Sequence, residues 1–335
     1  MTGPDALSGA ELVFVEAPAR LHFGVLDLRG TLGRRFGGIG AAAPAPTLLV
    51  SAGPSTTLEV SGHDADRAIG FARRFLEYHG AAARGARLSV HRALPPHAGL
   101  GSGTQLALSV ARALAELNGF PTDAPDLARA VGRAQRSGIG TWTFAGGGLV
   151  VEGGKRETDR AVAPLLARLP FPSSWRCVVA VPDSPPAISG NAEAAAFAQL
   201  TPAPERDVER VAHLVLMALL PALVEGDLAT FGQALTTIQA ITGRWFTDVQ
   251  GGTFAPGPTE ELVRRMIEWG AAGVGQSSWG PAVYGIVEGE SAGQRLSDRV
   301  REALSASGTT GAVFSGPFRD EGARVWRGPR FDESA

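Results

Sequence analysis

A glycine-rich stretch with two hydroxyl residues is the part of this sequence best suited to chemistry. It comprises Gly99, Leu100, Gly101, Ser102, Gly103, Thr104 and Gln105. A strand-like run precedes it, and apolar residues at helical spacing follow from Leu106. Glycines let the backbone approach a ligand, and the first N–H groups of a helix lie unpaired at the positive end of its dipole. The stretch therefore predicts a phosphate-binding loop, with a plain helix cap as the alternative.

The glycine spacing does not match two common phosphate motifs. No lysine follows the glycines as a P-loop requires, and the dinucleotide-binding G-x-G-x-x-G pattern is missing from this stretch. Two further segments stand near the chain ends: Ala17–Gly24, and the glycine-rich Gly273–Gly280. The three segments together resemble, in order, the motifs of the GHMP superfamily of sugar and mevalonate kinases.

This resemblance implies a fold and a domain organisation. The fold class would be α+β, with a GHMP-type N-terminal domain like ribosomal protein S5 domain 2 and a ferredoxin-like C-terminal domain. The expected divisions are a disordered N-terminus at 1–10, an N-terminal domain at 11–165, a C-terminal domain at 166–318 and a tail at 319–335. The active site would lie in the cleft between the domains, a usual place for small-molecule sites.

One departure from the kinase pattern is informative. Kinases of this superfamily mostly carry a catalytic Asp in an S-G-x-x-D segment, where this chain has Ser137-Gly138-Ile139-Gly140-Thr141, and no carboxylate occurs between Asp126 and Glu152. Phosphoryl transfer needs a group that activates the attacking hydroxyl, so kinase activity is disfavoured. Details such as SGIGTWTF and ISGNAE instead resemble β-ribofuranosylaminobenzene 5'-phosphate synthases. The similarity extends roughly from residue 11 to residue 318.

That family joins 4-aminobenzoate to phosphoribosyl pyrophosphate (PRPP), with loss of CO2 and pyrophosphate, in tetrahydromethanopterin biosynthesis. Departure of pyrophosphate makes ribose C1 resemble an oxocarbenium ion, and the ring carbon that bears the carboxylate attacks it. The group then lost from the ring is CO2 and not a proton, so no strong base is needed there. The protein must mainly stabilise the leaving anion and hold two reactants close together.

The predicted site combines residues of the three motifs with their neighbours. The expected catalytic groups are Arg20, His22 and Asp27. The expected phosphate-binding groups are Gly99, Leu100, Gly101, Ser102, Gly103, Thr104, Gln105, Gly275, Gln276, Ser277 and Ser278. The expected substrate-binding groups are Arg34, Arg35, Thr141, Trp142 and Glu193. Mg²⁺ is expected as a cofactor that arrives on the pyrophosphate, because no H-x-x-x-H or C-x-x-C spacing is present.

Several of these residues have a structural alternative. Asp27 suits Mg²⁺ or a substrate amine, but equally a structural hydrogen bond. A glycine- and arginine-rich loop is expected at 29–40. Its Arg34 and Arg35 could hold the benzoate carboxylate or a phosphate, or form a solvated basic turn. Trp142 could stack on the aminobenzoate ring, although core packing is the commoner fate of aromatic residues. The apolar helices expected over 205–241 serve an internal core by default, with a homodimer interface as the alternative.

Composition limits the remaining possibilities. A net charge of −2 over 335 residues gives no support for nucleic-acid binding. Among 31 basic residues Lys155 is the only lysine, so arginine must supply the anion clamps. Cys177 is the only cysteine and lies in an apolar run, which predicts a buried core residue. No signal peptide or membrane span is evident, so a cytoplasmic location is expected.

Two rival functions remain open. An ATP-dependent small-molecule kinase would need a carboxylate from another segment, for which Asp27 and Asp183 are the candidates. A non-catalytic nucleotide-binding paralogue would retain the loop without turnover. Release of CO2 that depends on PRPP would separate the synthase from both rivals.

Overall fold

The computed structural model describes residues 11–183, 195–197 and 200–329 of the chain. The strands are β1 (Leu12–Asp27), β2 (Phe36–Gly53), β3 (Leu58–Gly62), β4 (Ala86–Arg92), β5 (Leu149–Glu152), β6 (Leu165–Leu169), β7 (Trp175–Pro182), β8 (Gly273–Gln276), β9 (Val283–Glu288), β10 (Gly311–Gly316) and β11 (Arg324–Gly328). The helices are α1 (Ala65–Tyr78), α2 (Ser102–Asn118), α3 (Ala124–Ala130), α4 (Ile139–Gly146), α5 (Glu205–Leu214), α6 (Leu220–Glu225), α7 (Leu228–Arg244), α8 (Thr247–Gln250), α9 (Pro258–Glu268) and α10 (Glu290–Ala306). A π-helical turn, Val215–Leu219, joins α5 to α6.

The N-terminal domain is a seven-stranded sheet with helices packed on it. Its strand order is β11-β1-β2-β4-β3, and β5 and β6 extend from β2. Helix α2 lies on β1 and β2, and α1, α3 and α4 pack against α2. The apolar spacing from Leu106 predicted this central helix, and Leu106, Val110 and Leu114 are fully buried in it. The helix begins four residues earlier than that spacing suggested, at Ser102.

The C-terminal domain has the predicted ferredoxin-like arrangement. Its antiparallel sheet has the order β10-β7-β9-β8, which is the order that a β-α-β-β-α-β chain produces. Alternate residues of β7 face opposite sides. Val178 and Ala180 pack under α9 and α10, whereas Cys177 and Val179 join the larger core shared with the first domain. The prediction that Cys177 is buried is confirmed.

The structure differs from the predicted divisions at three places. Strand β6 pairs with β5, so the first sheet extends to Leu169, beyond the predicted boundary. The predicted tail contains β11, which pairs with β1. The predicted loop 29–40 is shorter, because β2 begins at Phe36. A Cβ on Gly40 of this strand would lie too close to Ile139, so glycine lets α4 approach the sheet. The predicted disordered segment, 1–10, lies outside the described residues.

A close contact between two glycine-rich turns joins the domains. The Ser277 hydroxyl donates to the carbonyl oxygen of Gly99 at 2.7 Å and accepts from the backbone N–H of His22 at 2.9 Å. Ala282 N–H donates to the Ala98 carbonyl oxygen at 3.2 Å. A Cβ on Gly280 would overlap the Ala98–Gly99 peptide. The turn between β8 and β9 therefore holds the loop that precedes α2 in a fixed position.

Within the described part of the chain, no helix combines the length and the apolar character that crossing a bilayer requires. The longest helices, α2, α7 and α10, have 17 residues each. Each of them has buried residues that pack in a domain core.

Replacing Trp326 tests whether β11 belongs to the fold. Trp326 lies opposite Phe14 in the β1–β11 pair, and the rings stack at a centroid distance of 5.3 Å. We expect Trp326→Ala to lower the free energy of unfolding by about 1 kcal/mol, the usual contribution of such a pair. Chemical denaturation measures this change, with Leu32→Ala as the control because Leu32 is 92% exposed. Equal stabilities of the two variants would mean that the segment is a tail.

Replacing Gly99 tests the contact between the domains. Gly99 and Gly33 both have φ of +79°, but only at Gly99 would a Cβ overlap a neighbour, the Ser277 carbonyl oxygen. Both alanine variants should lose about 1–2 kcal/mol through the left-handed backbone. We expect Gly99→Ala to lose more stability than Gly33→Ala in chemical denaturation. An equal loss in the two variants would show that the contact contributes nothing.

Candidate active site

The predicted phosphate loop has the backbone geometry that an anion site needs. Gly99 and Gly101 have φ of +79° and +75°, which glycine adopts without strain. The first helical hydrogen bond of α2 runs from Thr104 N–H to the Gly101 carbonyl oxygen at 3.0 Å. The N–H groups of Ser102 and Gly103 come before that bond, at the positive end of a 17-residue helix. An anion at this position would meet backbone donors and the helix dipole together.

Three guanidinium groups surround this loop. A Cβ on Gly101 would lie 2.7 Å from Cγ of Arg20, and a Cβ on Gly103 would lie 2.8 Å from Arg67 Nη2 and 3.2 Å from Arg133 Nη2. The side chain of Arg133 lies over the Phe71 ring at 4.8 Å, and Arg67 pairs with Asp64 at 3.2 Å.

Arg67 and Arg133 are not among the site residues that the sequence predicted. One lies on α1 and the other follows α3, and no spacing along the chain connects either residue to the loop. Their guanidinium groups add cationic donors beside the backbone N–H groups of the loop.

Two irregularities of β1 direct Arg20 and His22 into the site. The register with β2 shifts between Pro18 and Arg20 and again between His22 and Gly24. Such shifts commonly re-aim side chains near active sites. Both side chains line one cavity, since alternate residues of a strand share a face. Burial, together with the smaller effect of the Arg20 charge, lowers the pKa of His22 to about 3, so the imidazole is neutral and weakly basic at pH 7.

A cavity of about 830 Å³, including its open mouth, lies between the two domains. It is bounded by β1, the start of β2, the segment before α4, α7 and the turn between β8 and β9. Among the described residues, its charged and polar lining comprises Arg20, His22, Arg136, Ser137, Gln239, Thr242, Gln250, Thr253, Gln276 and Ser278. The cavity therefore lies where the cleft between the domains was expected.

Aromatic side chains form one wall of the cavity. Phe197 contacts Trp279 at a ring-centroid distance of 5.5 Å and Phe36 at 5.8 Å. Phe246 lies 4.9 Å from Trp279, and the guanidinium of Arg136 lies 4.7 Å over the Phe197 ring. Such a wall can hold a planar aromatic ligand in edge-to-face or offset contact. Sequence reasoning missed it, although Trp279 stands inside the third motif.

The predicted aromatic-binding residues lie elsewhere. Trp142 donates its indole N–H to the Ala163 carbonyl oxygen at 2.8 Å, and Thr141 is fully buried. Neither lines the cavity. Their position in α4 places them in the packing between helix and sheet, which was the structural alternative for Trp142.

Asp27, Arg34 and Arg35 also lie outside the cavity lining. The Asp27 carboxylate accepts from the N–H groups of Arg29 and Gly30 at 2.6 and 2.9 Å, which stabilises the turn after β1. Arg34 donates to the Gly154 carbonyl oxygen, and Arg35 donates to that of Leu28. These side chains therefore organise the segment between β1 and β2. Glu193 lies outside the described residues.

The third motif, Gly273–Gly280, contributes residues both to the cavity lining and to the contact between the domains. Gln276 and Ser278 line the cavity, and the amide nitrogen of Gln276 donates to the Ser278 carbonyl oxygen at 2.9 Å. The hydroxyl proton of Ser277 is used in the bond to Gly99. Gln105 is also structural, because its amide donates to the Gly140 carbonyl oxygen at 3.0 Å. Only part of the predicted phosphate-binding set can therefore donate to a ligand.

No carboxylate is among the described residues that line the cavity. Asp27 is held in its turn, and Asp183, the second candidate for a kinase base, is paired with Thr310 at an exposed position. Glu152 is fully buried behind the cavity, where it accepts from Gly138 N–H at 3.2 Å and Gly154 N–H at 2.8 Å. Burial raises the pKa of this carboxyl group. The described lining therefore suits anion binding better than proton abstraction.

Comparisons with known proteins agree with this architecture. Residues 66–147 match the GHMP kinases N terminal domain and residues 219–306 match the GHMP kinases C terminal domain. Homoserine kinase from Cytophaga hutchinsonii has the same fold, with a TM-score of 0.69, 16% identity, and coverage of 97% of this chain and 100% of that one. The predicted GHMP fold class is thereby confirmed.

Two curated relatives are more similar in sequence. β-Ribofuranosylphenol 5'-phosphate synthase from Methanothermobacter thermautotrophicus is 34% identical over 297 residues, which covers 82% of this chain and 89% of the relative. The protein of the same name from Archaeoglobus fulgidus is 36% identical over 292 residues, with 83% and 89% covered. With its GHMP fold and its cavity between the domains, this chain belongs to the β-ribofuranosylphenol 5'-phosphate synthase family.

Proposed function

We propose that this protein joins 4-aminobenzoate to PRPP, with release of CO2 and pyrophosphate, as a step of tetrahydromethanopterin biosynthesis. It would thus be a decarboxylating phosphoribosyltransferase. The names of the relatives describe a phenol product, so 4-hydroxybenzoate is the second acceptor to test. Both acceptors share a flat ring, a carboxylate and an electron-donating substituent.

One observation carries the proposal: Arg20 belongs both to a cationic phosphate loop and to a cavity with an aromatic wall. Its side chain packs on Gly101, its Nη1 donates to the Gly99 carbonyl oxygen at 2.5 Å, and it lines the cavity. A diphosphate at the loop and an aromatic acid in the cavity would therefore be neighbours. The reaction requires this proximity between the departing anion and the attacking ring.

Each part of the site has a role in this reaction. The Ser102 and Gly103 N–H groups, with Arg20, Arg67 and Arg133, would bind the pyrophosphate more strongly as its charge develops. The aromatic wall would hold the acceptor ring against ribose C1. His22 is neutral at pH 7, so it can hydrogen-bond to the sugar without adding positive charge beside an oxocarbenium-like carbon. No proton leaves the ring carbon in the net reaction.

Mg²⁺ fits this arrangement as a partner of the pyrophosphate. The hydroxyl oxygens of Ser102 and Thr104, at the start of α2, are hard ligands of the kind that Mg²⁺ prefers. Among the described residues, no group of three or more His, Cys, Asp or Glu side chains is placed to hold a metal. We therefore propose that the ion is held mainly by phosphate oxygens, where it would neutralise charge on the leaving group.

The kinase alternative has less support from the site. The two carboxylates suggested for it, Asp27 and Asp183, do not line the cavity. Likeness to kinases at 16% identity indicates a common fold and not a common reaction. A described lining without a carboxylate would also suit a non-catalytic paralogue, so activity must be measured directly.

The reaction itself is tested with carboxyl-labelled acceptor. We expect the protein to release labelled CO2 from 4-aminobenzoate only when PRPP is present, with one pyrophosphate formed for each CO2. The assay measures both products in the presence of Mg²⁺. Arg264→Gln is the control variant, because Arg264 lies exposed on α9 and bonds only to neighbouring acids. Steady ADP release from ATP and a sugar or alcohol, without PRPP, would instead establish a kinase.

The aromatic wall is tested by two tryptophan variants. We expect Trp279→Ala to raise the KM for the aromatic acid about tenfold, since loss of one aromatic contact weakens binding by roughly 1–1.5 kcal/mol. Trp142→Phe should leave that KM unchanged, because Trp142 lies outside the cavity. Steady-state kinetics with saturating PRPP measures both values. If Trp142→Phe raises this KM and Trp279→Ala does not, the acceptor ring binds at α4 and not at the aromatic wall.

A further inference from the structure

The cavity has a second cationic group, which is carried by a different segment from the phosphate loop. Arg136 lies in the segment before α4, and its guanidinium stacks over Phe197 at 4.7 Å. It lines the cavity together with Arg20, which packs against the loop. A substrate with two anionic ends can therefore meet a guanidinium at each end.

Two buried charged residues, Lys155 and Glu152, bond to the segment that carries Arg136. The Lys155 ammonium donates to the Ala134 carbonyl oxygen at 3.1 Å. Glu152 accepts from Gly138 N–H at 3.2 Å and also from the Ser137 hydroxyl. The exposed fractions of Lys155 and Glu152 are 7% and 0%. Neither side chain lines the cavity, so their role is to position residues 134–138.

The backbone of this segment needs such support. Ala134 has φ of +58°, a left-handed conformation that residues with a Cβ adopt only at a cost. A Cβ on Gly38, beside the carboxylate, would lie 3.2 Å from Glu152 Oε1, so a larger residue would press on that carboxylate. These bonds fix the backbone on both sides of Arg136, and its guanidinium packs on the Phe197 ring. Such preorganisation would reduce the entropy lost on binding.

The chemistry of the proposed reaction indicates what Arg136 binds. The acceptor carboxylate loses its charge when it leaves as CO2, so a guanidinium clamped on it would stabilise the ground state more than the transition state. The 5'-phosphate of the sugar keeps its charge throughout. A fixed arginine there anchors a part of the substrate that does not react, and that binding energy can align the reacting atoms.

We propose that Arg136 binds the sugar 5'-phosphate, a phosphomonoester, while the loop of Gly99–Gln105 with Arg67 and Arg133 binds the diphosphate. This assignment rests on the proposed function for its substrate. Glu152 and Lys155 act as positioning residues for Arg136. The two anionic ends of PRPP are thus held at two sites of one cavity, with ribose C1 between them.

A crossed binding experiment on the full chain tests the assignment. The probes are ribose 5-phosphate and inorganic pyrophosphate with Mg²⁺, each titrated by calorimetry into the wild type, Arg136→Gln and Arg67→Gln. We expect Arg136→Gln to weaken ribose 5-phosphate at least tenfold and pyrophosphate less than threefold. Arg67→Gln should show the opposite pattern. Circular dichroism and thermal unfolding confirm that each variant is folded.

A third probe separates the alternatives. If Arg136→Gln weakens 4-aminobenzoate and leaves ribose 5-phosphate unchanged, Arg136 holds the acceptor and the proposal is overturned. Unchanged binding of all three probes overturns it as well. Because binding is measured without turnover, a chain that releases no CO2 can still show the crossed pattern, so failure of the reaction and failure of this site remain distinct.

The positioning role is tested by combining variants. Lys155→Met should weaken ribose 5-phosphate about as much as Arg136→Gln, and the double variant should be no weaker than Arg136→Gln alone. A general loss of stability would instead weaken both probes and would act in either background. Additive effects of the two substitutions on ribose 5-phosphate binding would rule out action of Lys155 through Arg136.

Discussion

The carbonyl oxygen of Gly99 is the point on which the site depends. It accepts from the Ser277 hydroxyl at 2.7 Å and from Arg20 Nη1 at 2.5 Å, so three separate segments meet at one backbone atom. With the carbonyl turned toward Ser277, the following N–H groups at the start of α2 are left for a ligand. The same contact joins the domains, and the cavity lies beside it. Fold, loop conformation and cavity are thus consequences of one local arrangement.

Sequence reasoning succeeded where the signal is continuous along the chain. The loop before α2, the segment of β1 with Arg20 and the turn containing Ser277 are each short motifs, and the structure brings all three into contact. The central helix and the ferredoxin-like order of the second sheet follow from periodicity and from the resemblance. Local pattern therefore sufficed for the frame of the site and for its place between the domains.

The features that the sequence did not predict depend on contacts between segments that are separate in the chain. Arg67 lies on α1, whereas Arg133 and Arg136 lie in the segment between α3 and α4. The packing of α1, α3 and α4 around α2 decides where these three side chains lie. Strand β11 was missed for a related reason, because its five residues show no alternation without the partner strand. Lys155 also has a role that composition could not indicate. Burial lowers the pKa of its ammonium group, yet that group donates to a backbone carbonyl oxygen.

The charge distribution of the cavity suits a reaction that passes through a cationic carbon. A guanidinium near ribose C1 would oppose the growth of positive charge there, whereas one at each anionic end of the substrate would not. Arg20 is drawn toward the loop by the Gly99 carbonyl oxygen, and Arg136 is drawn toward the Phe197 ring. Apart from these two arginines, the described residues of the lining carry no full charge, because burial keeps His22 neutral. The aromatic faces of the lining attract positive charge. The same fold that serves kinases would then favour glycosyl transfer. Its cationic groups would bind the anionic ends of the substrate and would not oppose the positive charge that develops on ribose C1.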